Sequence, residues 1–145
     1  MKINTPTFGE VDVDENNIIS FASGILGFDE LKKYIVLSAD DEDTVFYWLQ
    51  SVEEPEISFI VTNPFLFIQN YEFDIPETVV KQLELENQED LIVYSITVIT
   101  ENIKNATINL KGPVLVNSKN KKAKQIVLDG DEYPLKYKIF KEEKK

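Results

Sequence analysis

Residues 47–64 read YWLQSVEEPEISFIVTNP, and this stretch indicates the fold. Two apolar segments, residues 47–49 and 57–61, flank a turn that carries three glutamates and Pro55. Short segments rich in β-branched and aromatic residues, separated by a polar turn, are typical of paired β-strands. We therefore predict a strand, a turn and a strand. The aromatics and glutamates here have three candidate roles: a catalytic cleft, a metal loop, or a surface that holds another protein.

The same pattern of short alternating segments continues along most of the chain. It predicts one domain over residues 1–145, an all-β, antiparallel, barrel-like fold with one or two short helices. Closing the sheet into a barrel removes exposed strand edges. Besides a hairpin near the start of the chain, the predicted strands are residues 34–37, 45–50, 57–62, 91–100, 106–110, 113–116 and 125–128.

Local signals predict one hairpin and two short helices. The hairpin joins strands at residues 8–13 and 18–21 through the polar sequence DENN. Residues 28–34, FDELKKY, suggest about one helical turn. Residues 76–85 make the stronger helix, because Pro76 suits a first turn and an acidic residue follows it at the positive helix end.

The composition argues against an enzyme. The chain has no cysteine and no histidine, and all 15 of its basic residues are lysines. Histidine is the usual general base near neutral pH, and arginine is the usual bidentate clamp for phosphate and carboxylate groups. We therefore expect no catalytic residues, no cofactor and no metal site. No secretion signal or membrane-spanning run is recognisable, which predicts a cytoplasmic protein that does not bind membranes.

Charge is unevenly distributed along the chain, whose net charge is −11. Residues 1–103 hold 21 acidic residues and 4 lysines, a balance of −17, whereas residues 104–145 have a balance of +6. An acidic protein repels a phosphate backbone, so direct binding to nucleic acid is not expected. A basic protein partner would be attracted to the acidic part, although high net charge also serves solubility.

Two acidic clusters invite functional interpretations. Residues 40–43, DDED, lack the spaced ligands and the glycine of a calcium loop, so we interpret them as a solvated connection. Glu53 and Glu54, in the turn of the opening stretch, are more consistent with a negative rim for a basic partner than with catalysis. The alternative that stays open is a carboxylate-based glycoside hydrolase or sugar-binding β-domain, which would use these glutamates or Asp74 with Trp48 as a stacking platform.

Aromatic residues are concentrated between positions 46 and 73, among them Phe46, Tyr47, Trp48, Phe65, Phe67, Tyr71 and Phe73. Phe46 and Trp48 occupy one side of their predicted strand and Tyr47 the other, because side chains alternate along a strand. We therefore expect one side to face the core, and the other to meet a partner or a covering loop. Exposed aromatics at interfaces act as energetic anchors.

Several longer segments resemble the family of the flagellar assembly factor FliW. They are ISFASGILGFDELKKYIVL (residues 19–37), FYWLQSVEEPEISFIVTNPFLF (46–67), NATINLKGPVLVN (105–117) and AKQIVL (123–128). Their order and spacing match that family along nearly the whole chain, and only the lysine-rich tail after Tyr133 departs from it. The turn Gly24-Ile25-Leu26-Gly27-Phe28 is the most specific part, together with Leu49-Gln50-Ser51 and Pro55.

The resemblance implies a non-enzymatic protein, monomeric when free, with two alternative partners. One is flagellin, held before export in a chaperone-like manner. The other is CsrA, a small basic RNA-binding translational repressor, which the free protein would antagonise so that flagellin translation is relieved. Gly24 and Gly27 are expected to adopt positive φ, and Gln50 and Asn63 to satisfy backbone groups. The predicted partner-binding residues are Phe28, Trp48, Glu53, Glu54, Phe65, Phe67 and Tyr71.

Overall fold

The computed structural model describes residues 1–38 and 45–140. In chain order its strands are β1 (Lys2–Thr5), β2 (Gly9–Asp12), β3 (Ile19–Phe21), β4 (Lys33–Leu37), β5 (Phe46–Ser51), β6 (Ser58–Thr62), β7 (Leu91–Val98), β8 (Thr107–Ile108), β9 (Val114–Asn117), β10 (Lys122–Gln125) and β11 (Tyr137–Lys138). The α-helix in this part of the chain is α1 (Glu77–Leu83), and short 3-10 helices span Glu15–Asn17, Pro64–Leu66, Gln88–Asp90 and Ile103–Asn105. None of the helices described is long and apolar enough to cross a membrane.

Seven strands close into a barrel in the order β7-β6-β5-β4-β3-β10-β9, and β9 returns to β7. Every pairing around the barrel is antiparallel except that of β3 with β10, which is parallel and sets Ser20 opposite Lys122. β8 and β11 extend the sheet beyond β7, and β1 and β2 form a separate two-stranded sheet. The antiparallel barrel-like fold predicted from the sequence is confirmed.

The two larger apolar cores lie inside and outside the barrel, and a smaller third cluster joins the β1–β2 sheet to β4. The interior core includes Tyr34, Leu49, Val61 and Val116. The outer core lies beneath α1, whose Val79 and Leu83 pack against Val93 and its neighbours. Alternation along β7 accounts for both cores, because Ile92, Tyr94 and Ile96 pack inward while Val93 packs outward. The helix predicted for residues 76–85 is confirmed in slightly shorter form.

The predicted hairpin between residues 8–13 and 18–21 is wrong. β2 pairs with β1, setting Ile3 opposite Val11, whereas β3 pairs with β4 and β10. The connecting residues form the 3-10 helix Glu15–Asn17, which is capped by the Asp14 carboxylate. The polar sequence therefore does form a turn, but the strands on its two sides belong to different sheets. β2 pairs with β1, and β3 pairs with β4 and β10.

The helical turn predicted for residues 28–34 does not form. Residues 25 and 28 form an isolated bridge, and Lys33 already belongs to β4. The N–H groups of Lys32 and Lys33 donate to the Glu53 carboxylate instead of to helical carbonyls. A contact with a residue distant in sequence thus replaces the local hydrogen bonds of a helix.

Candidate functional site

The strand-turn-strand of residues 46–62 is held together by buried amide and hydroxyl groups. The Gln50 side chain is 2% exposed, and its Nε2 donates to the carbonyl oxygen of Pro55 at 2.7 Å. Ser51 Oγ accepts the N–H of Glu54 at 3.0 Å. Asn63 Oδ1 accepts the N–H of Phe65 at 2.9 Å and so caps the 3-10 helix that follows β6. The prediction that Gln50 and Asn63 satisfy backbone groups is confirmed.

The register of β5 and β6 defines two ends of the barrel. At one end Ser51 enters the turn of residues 51–57, and we call this the turn end. At the other end Phe46 lies opposite Thr62, where β6 gives way to Pro64–Leu66, and we call this the groove end. The length of β5 separates the two ends by roughly 17–20 Å, at a strand rise of about 3.3 Å per residue.

At the turn end, a glycine-containing loop carries Leu26 and Phe28 at its surface. Gly24 and Gly27 have φ of +70° and +87°, as expected from the sequence. Phe28 remains 37% exposed, and its ring meets the edge of Phe59 at a centroid distance of 5.1 Å. Because Phe59 packs against the interior core, the Phe28 ring covers this end of the barrel.

Glu53 fastens this loop to the β5–β6 turn. Its Oε1 accepts the N–H of Lys32 at 2.5 Å and that of Lys33 at 2.9 Å. The hydrogen bond from Lys32 is the largest cause that lowers the pKa of the Glu53 carboxyl, the bond from Lys33 adds to it, and the limited burial opposes both. Glu54 lies beside it in the turn and is exposed. The two glutamates therefore differ: Glu53 orders the loop, whereas Glu54 is available at the surface.

We predict that Glu53→Gln destabilises the protein by about 1 kcal/mol at neutral pH, a value reduced from that of buried charged hydrogen bonds because the group is exposed. The folded-state pKa is lowered, so this contribution is present above the unfolded pKa and is lost as the pH falls through the folded value. Denaturant unfolding of wild type and variant should therefore differ at pH 7 and converge towards pH 3. Glu54→Gln is the matched control, and an equal loss in that variant would contradict the assignment to Glu53.

At the groove end, Phe65 and Leu66 are exposed beside a groove of about 330 Å³. The groove is lined by Tyr47, Asn63, Phe65 and the four residues 91–94. Burial, with Tyr47 as the second cause, raises the pKa of Tyr94, so that its hydroxyl is neutral at physiological pH. The groove thus has an uncharged lining with apolar and aromatic walls.

The other predicted anchors are covered from within the molecule. Trp48 packs edge-on against Phe8 at 5.2 Å, and Phe67 stacks on Phe46 at 6.4 Å. Tyr71 is 3% exposed, donates its hydroxyl to the carbonyl oxygen of Leu110, and supports Phe65 from beneath. The outer side of β5, where Phe46 and Trp48 are half-buried, is therefore partly covered by loop residues, in line with one of the two sequence alternatives. The structure does not bring the predicted partner-binding residues into one surface; it leaves Phe28 and Phe65 exposed at opposite ends.

A separate acidic cleft of about 670 Å³ lies at another part of the surface. It is lined by Glu72, Phe73, Asp74, Leu128, Asp129, Glu132 and Tyr133. The hydrolase alternative is not supported by this arrangement, because Asp74 lies here while Glu53 and Glu54 lie at the turn end. Within residues 1–38 and 45–140, no three acidic side chains are grouped so that they could hold a metal ion. The acidic residues 40–43 lie outside the described residues.

Sequence reasoning missed Gln125, which joins the glycine loop after β3 to the neighbouring strand β10 and to Gly112 just before β9. Its Oε1 accepts the N–H of Leu26 at 3.0 Å, and its Nε2 donates to the carbonyl oxygen of Gly112 at 2.9 Å. Leu26 and Gln125 lie 99 positions apart in the sequence, so no local pattern could have revealed the contact.

Comparisons with known proteins agree with this geometry. The sequence model of the family described as FliW protein matches residues 2–139. The flagellar assembly factor FliW of Alkaliphilus metalliredigens is 44% identical over 142 residues, covering 98% of this chain and 88% of that protein. The protein of the same description from Caldicellulosiruptor saccharolyticus is 44% identical over 138 residues, covering 95% of this chain and 90% of its own length. A crystal structure of the flagellar assembly factor FliW superposes with a TM-score of 0.91 at 31% identity, covering 98% of this chain and 99% of that one.

Proposed function

Because the chain belongs to the FliW family, a family of flagellar assembly factors rather than enzymes, we propose that it binds two proteins alternately. One is flagellin, which it holds before export. The other is CsrA, a basic translational repressor, which it sequesters when flagellin is scarce so that flagellin is translated. Accumulating flagellin then takes the protein back and frees CsrA. The exchange takes place in the cytoplasm, between monomers of this protein and its partners.

The observation that carries the proposal is that two exposed aromatic rings, Phe28 and Phe65, lie at opposite ends of the barrel, each beside an exposed leucine. Phe65 is 47% exposed beside Leu66 at 59%, and Phe28 is 37% exposed beside Leu26 at 61%. A large ring left in water is a ready anchor for an apolar partner segment. We assign both anchors to flagellin, whose apolar segments are unburied before assembly.

For flagellin, Phe65→Ala should weaken binding roughly 30-fold, which corresponds to a hot-spot loss of about 2 kcal/mol. The melting temperature should change little, because the ring is exposed. Phe28→Ala tests the turn end in the same way. Leu135→Ala removes an apolar side chain that is 61% exposed in another part of the chain, and serves as the control. Isothermal titration with purified flagellin measures the binding, and wild-type affinity in both ring variants would place the flagellin surface elsewhere.

For CsrA, the acidic body should accelerate the encounter, because opposite charges steer association. Glu54→Lys should slow association and leave dissociation nearly unchanged, and the on-rate of the wild type should fall as salt is added. Glu54 is the better choice than Glu53, whose replacement also releases the loop at residues 32–33. Glu89→Lys makes the same charge change just before β7, at the groove end.

Surface plasmon resonance between low and physiological ionic strength measures these rates. An on-rate that does not respond to salt would contradict steering. A larger effect of Glu89→Lys than of Glu54→Lys would move the CsrA surface from the turn end to the groove end.

A further inference from the structure

The groove at the groove end runs along the edge of a strand. Four consecutive residues of β7, Leu91 to Tyr94, contribute to its lining. Neighbouring residues of a strand point to opposite faces of the sheet, so a groove on one face would be lined by alternate residues only. Lining by four residues in succession therefore means that the groove follows the backbone edge itself.

The hydrogen bonds that β7 makes to β8 and β9 show which of its peptide groups point away from the groove, and the remaining groups point towards it. Ile96 accepts the N–H of Asn109, and Asp90 accepts the N–H of Ser118, so the peptide groups of even-numbered residues face β8 and β9. In an antiparallel ladder, the N–H and C=O of one residue share a side, and the next residue uses the opposite side. The peptide groups of Leu91 and Val93 consequently face the groove.

The edge is open because β6 stops short of it. The last pair between β6 and β7 joins Thr62 to Ser95, and the chain then turns into the 3-10 helix Pro64–Leu66. The Leu91 N–H is used by the carbonyl oxygen of Gln88. Among the described residues no strand lies opposite the C=O of Leu91 or the N–H and C=O of Val93.

We propose that this edge takes up an extended segment of a protein partner as an added β-strand, between β7 and the wall formed by Phe65. Strand addition of this kind gives affinity through backbone hydrogen bonds and specificity through alternate side chains. This inference rests on the proposed function, because that function supplies the protein partner to which the added strand belongs.

The lining defines the chemistry of the occupant. No lining residue is charged, so the side chains that enter the groove are apolar or small. Every lining residue belongs to residues 1–103, whose charge balance is −17, and the exposed Glu89 lies just before the edge, whereas Asp90 is paired with Lys119. The uncharged lining thus favours a segment with alternating apolar residues. The acidic surroundings favour lysine or arginine on its flanks and disfavour acidic residues.

Amide exchange gives the test. A phage-displayed library of random 12-residue peptides is selected on the wild-type protein, and a selected peptide is added to the isotope-labelled protein for NMR. The exchange of the Val93 amide should slow at least about 10-fold, as expected when a new hydrogen bond of about 1.4 kcal/mol forms. The amides of Ile92 and Tyr94 already bond to β9 and should not respond.

N-methylated peptides provide the matched control. Methylating alternate residues of the selected peptide removes either the N–H groups that face β7 or those that face away. One set of N-methyl groups should weaken binding at least about 10-fold and the other should not, because only one set of backbone amides pairs with the strand. Equal effects of the two sets would contradict strand addition.

Other outcomes are equally decisive. Selected peptides that bind without slowing Val93, or a library that yields no binder, would overturn the proposal. The proposal is also overturned if the Val93 amide of the peptide-free protein exchanges more slowly as the protein concentration rises, because a second copy of the chain would then occupy the edge.

Intact flagellin is tested in parallel. If it fails to bind, the proposed function fails while the peptides still decide the edge; if it binds without slowing Val93, the edge serves another partner.

Discussion

Replacing Tyr71 with alanine should lower the free energy of unfolding by about 3–5 kcal/mol, the range of large aromatic truncations in a core. The ring is buried between Phe73, Phe65 and Tyr133, and the Tyr133 centroid lies only 4.8 Å away. The hydroxyl donates to the carbonyl oxygen of Leu110. The variant therefore creates a cavity in the outer core and leaves a buried carbonyl without its donor.

Two further variants test the hydrogen bond of the Tyr71 hydroxyl and the burial of the neighbouring Phe65 ring. Tyr71→Phe keeps the ring and removes the donor, so it should cost about 1–3 kcal/mol, the penalty for an unsatisfied buried group. Phe65→Ala, directly above Tyr71, should cost less than about 1.5 kcal/mol, since much of its surface is already in water. Urea unfolding followed by tyrosine and tryptophan fluorescence measures all three. A Phe65→Ala loss as large as that of Tyr71→Ala would show that Phe65 is a core ring and not an anchor.

Gly24→Ala should destabilise the protein by about 2–5 kcal/mol, combining the cost of a left-handed conformation with that of overpacking. Gly24 has a φ of +70°, and an added Cβ would lie 2.7 Å from the carbonyl oxygens of both Phe28 and Asp29. These are backbone atoms, so they cannot rotate away as a side chain would. The loop that presents Phe28 must move to accommodate the methyl group.

Gly27→Ala is the control, because its φ of +87° is also positive but no atom lies within 4 Å of the added Cβ. It should cost only about 1–2 kcal/mol, from the backbone conformation alone. Thermal and denaturant unfolding compare the two variants. Equal losses would mean that the contacts of Gly24 do not matter, and that positive φ accounts for the whole effect.

Local patterns were sufficient where a segment and its partner are neighbours in sequence. The opening stretch formed β5 and β6 as predicted, since a polar turn brings two alternating segments together without help from the rest of the chain. The alternation of Phe46, Tyr47 and Trp48 also indicated that one side of β5 would be interior and the other would meet a partner or a covering loop. What covers that side, Phe8 and Phe67, could not be read from the alternation.

Prediction failed where distant residues compete for the same backbone groups. Lys32 and Lys33 suited a helical turn by composition, but the Glu53 carboxylate takes their N–H groups. The strand predicted for residues 125–128 is wrong, because β10 spans Lys122–Gln125 and shares only Gln125 with the prediction. Ala123 packs inward while Lys122 before it is exposed. Part of the lysine-rich turn is therefore a strand. The candidate anchors lie at two ends of the barrel, because barrel closure depends on strand pairings that no local pattern specifies.

The parallel pairing of β3 with β10 has a consequence for how the chain folds. Barrel closure at this seam unites Ser20 with Lys122, so most of the sequence lies between the two strands. Pairings of such high contact order slow folding, because loop-closure entropy is lost before the contacts compensate for it. During synthesis β3 leaves the ribosome long before β10 is made. The nascent chain therefore keeps β3 without its final neighbour until translation has nearly finished, and a chain that stops before residue 122 should remain open and prone to aggregation.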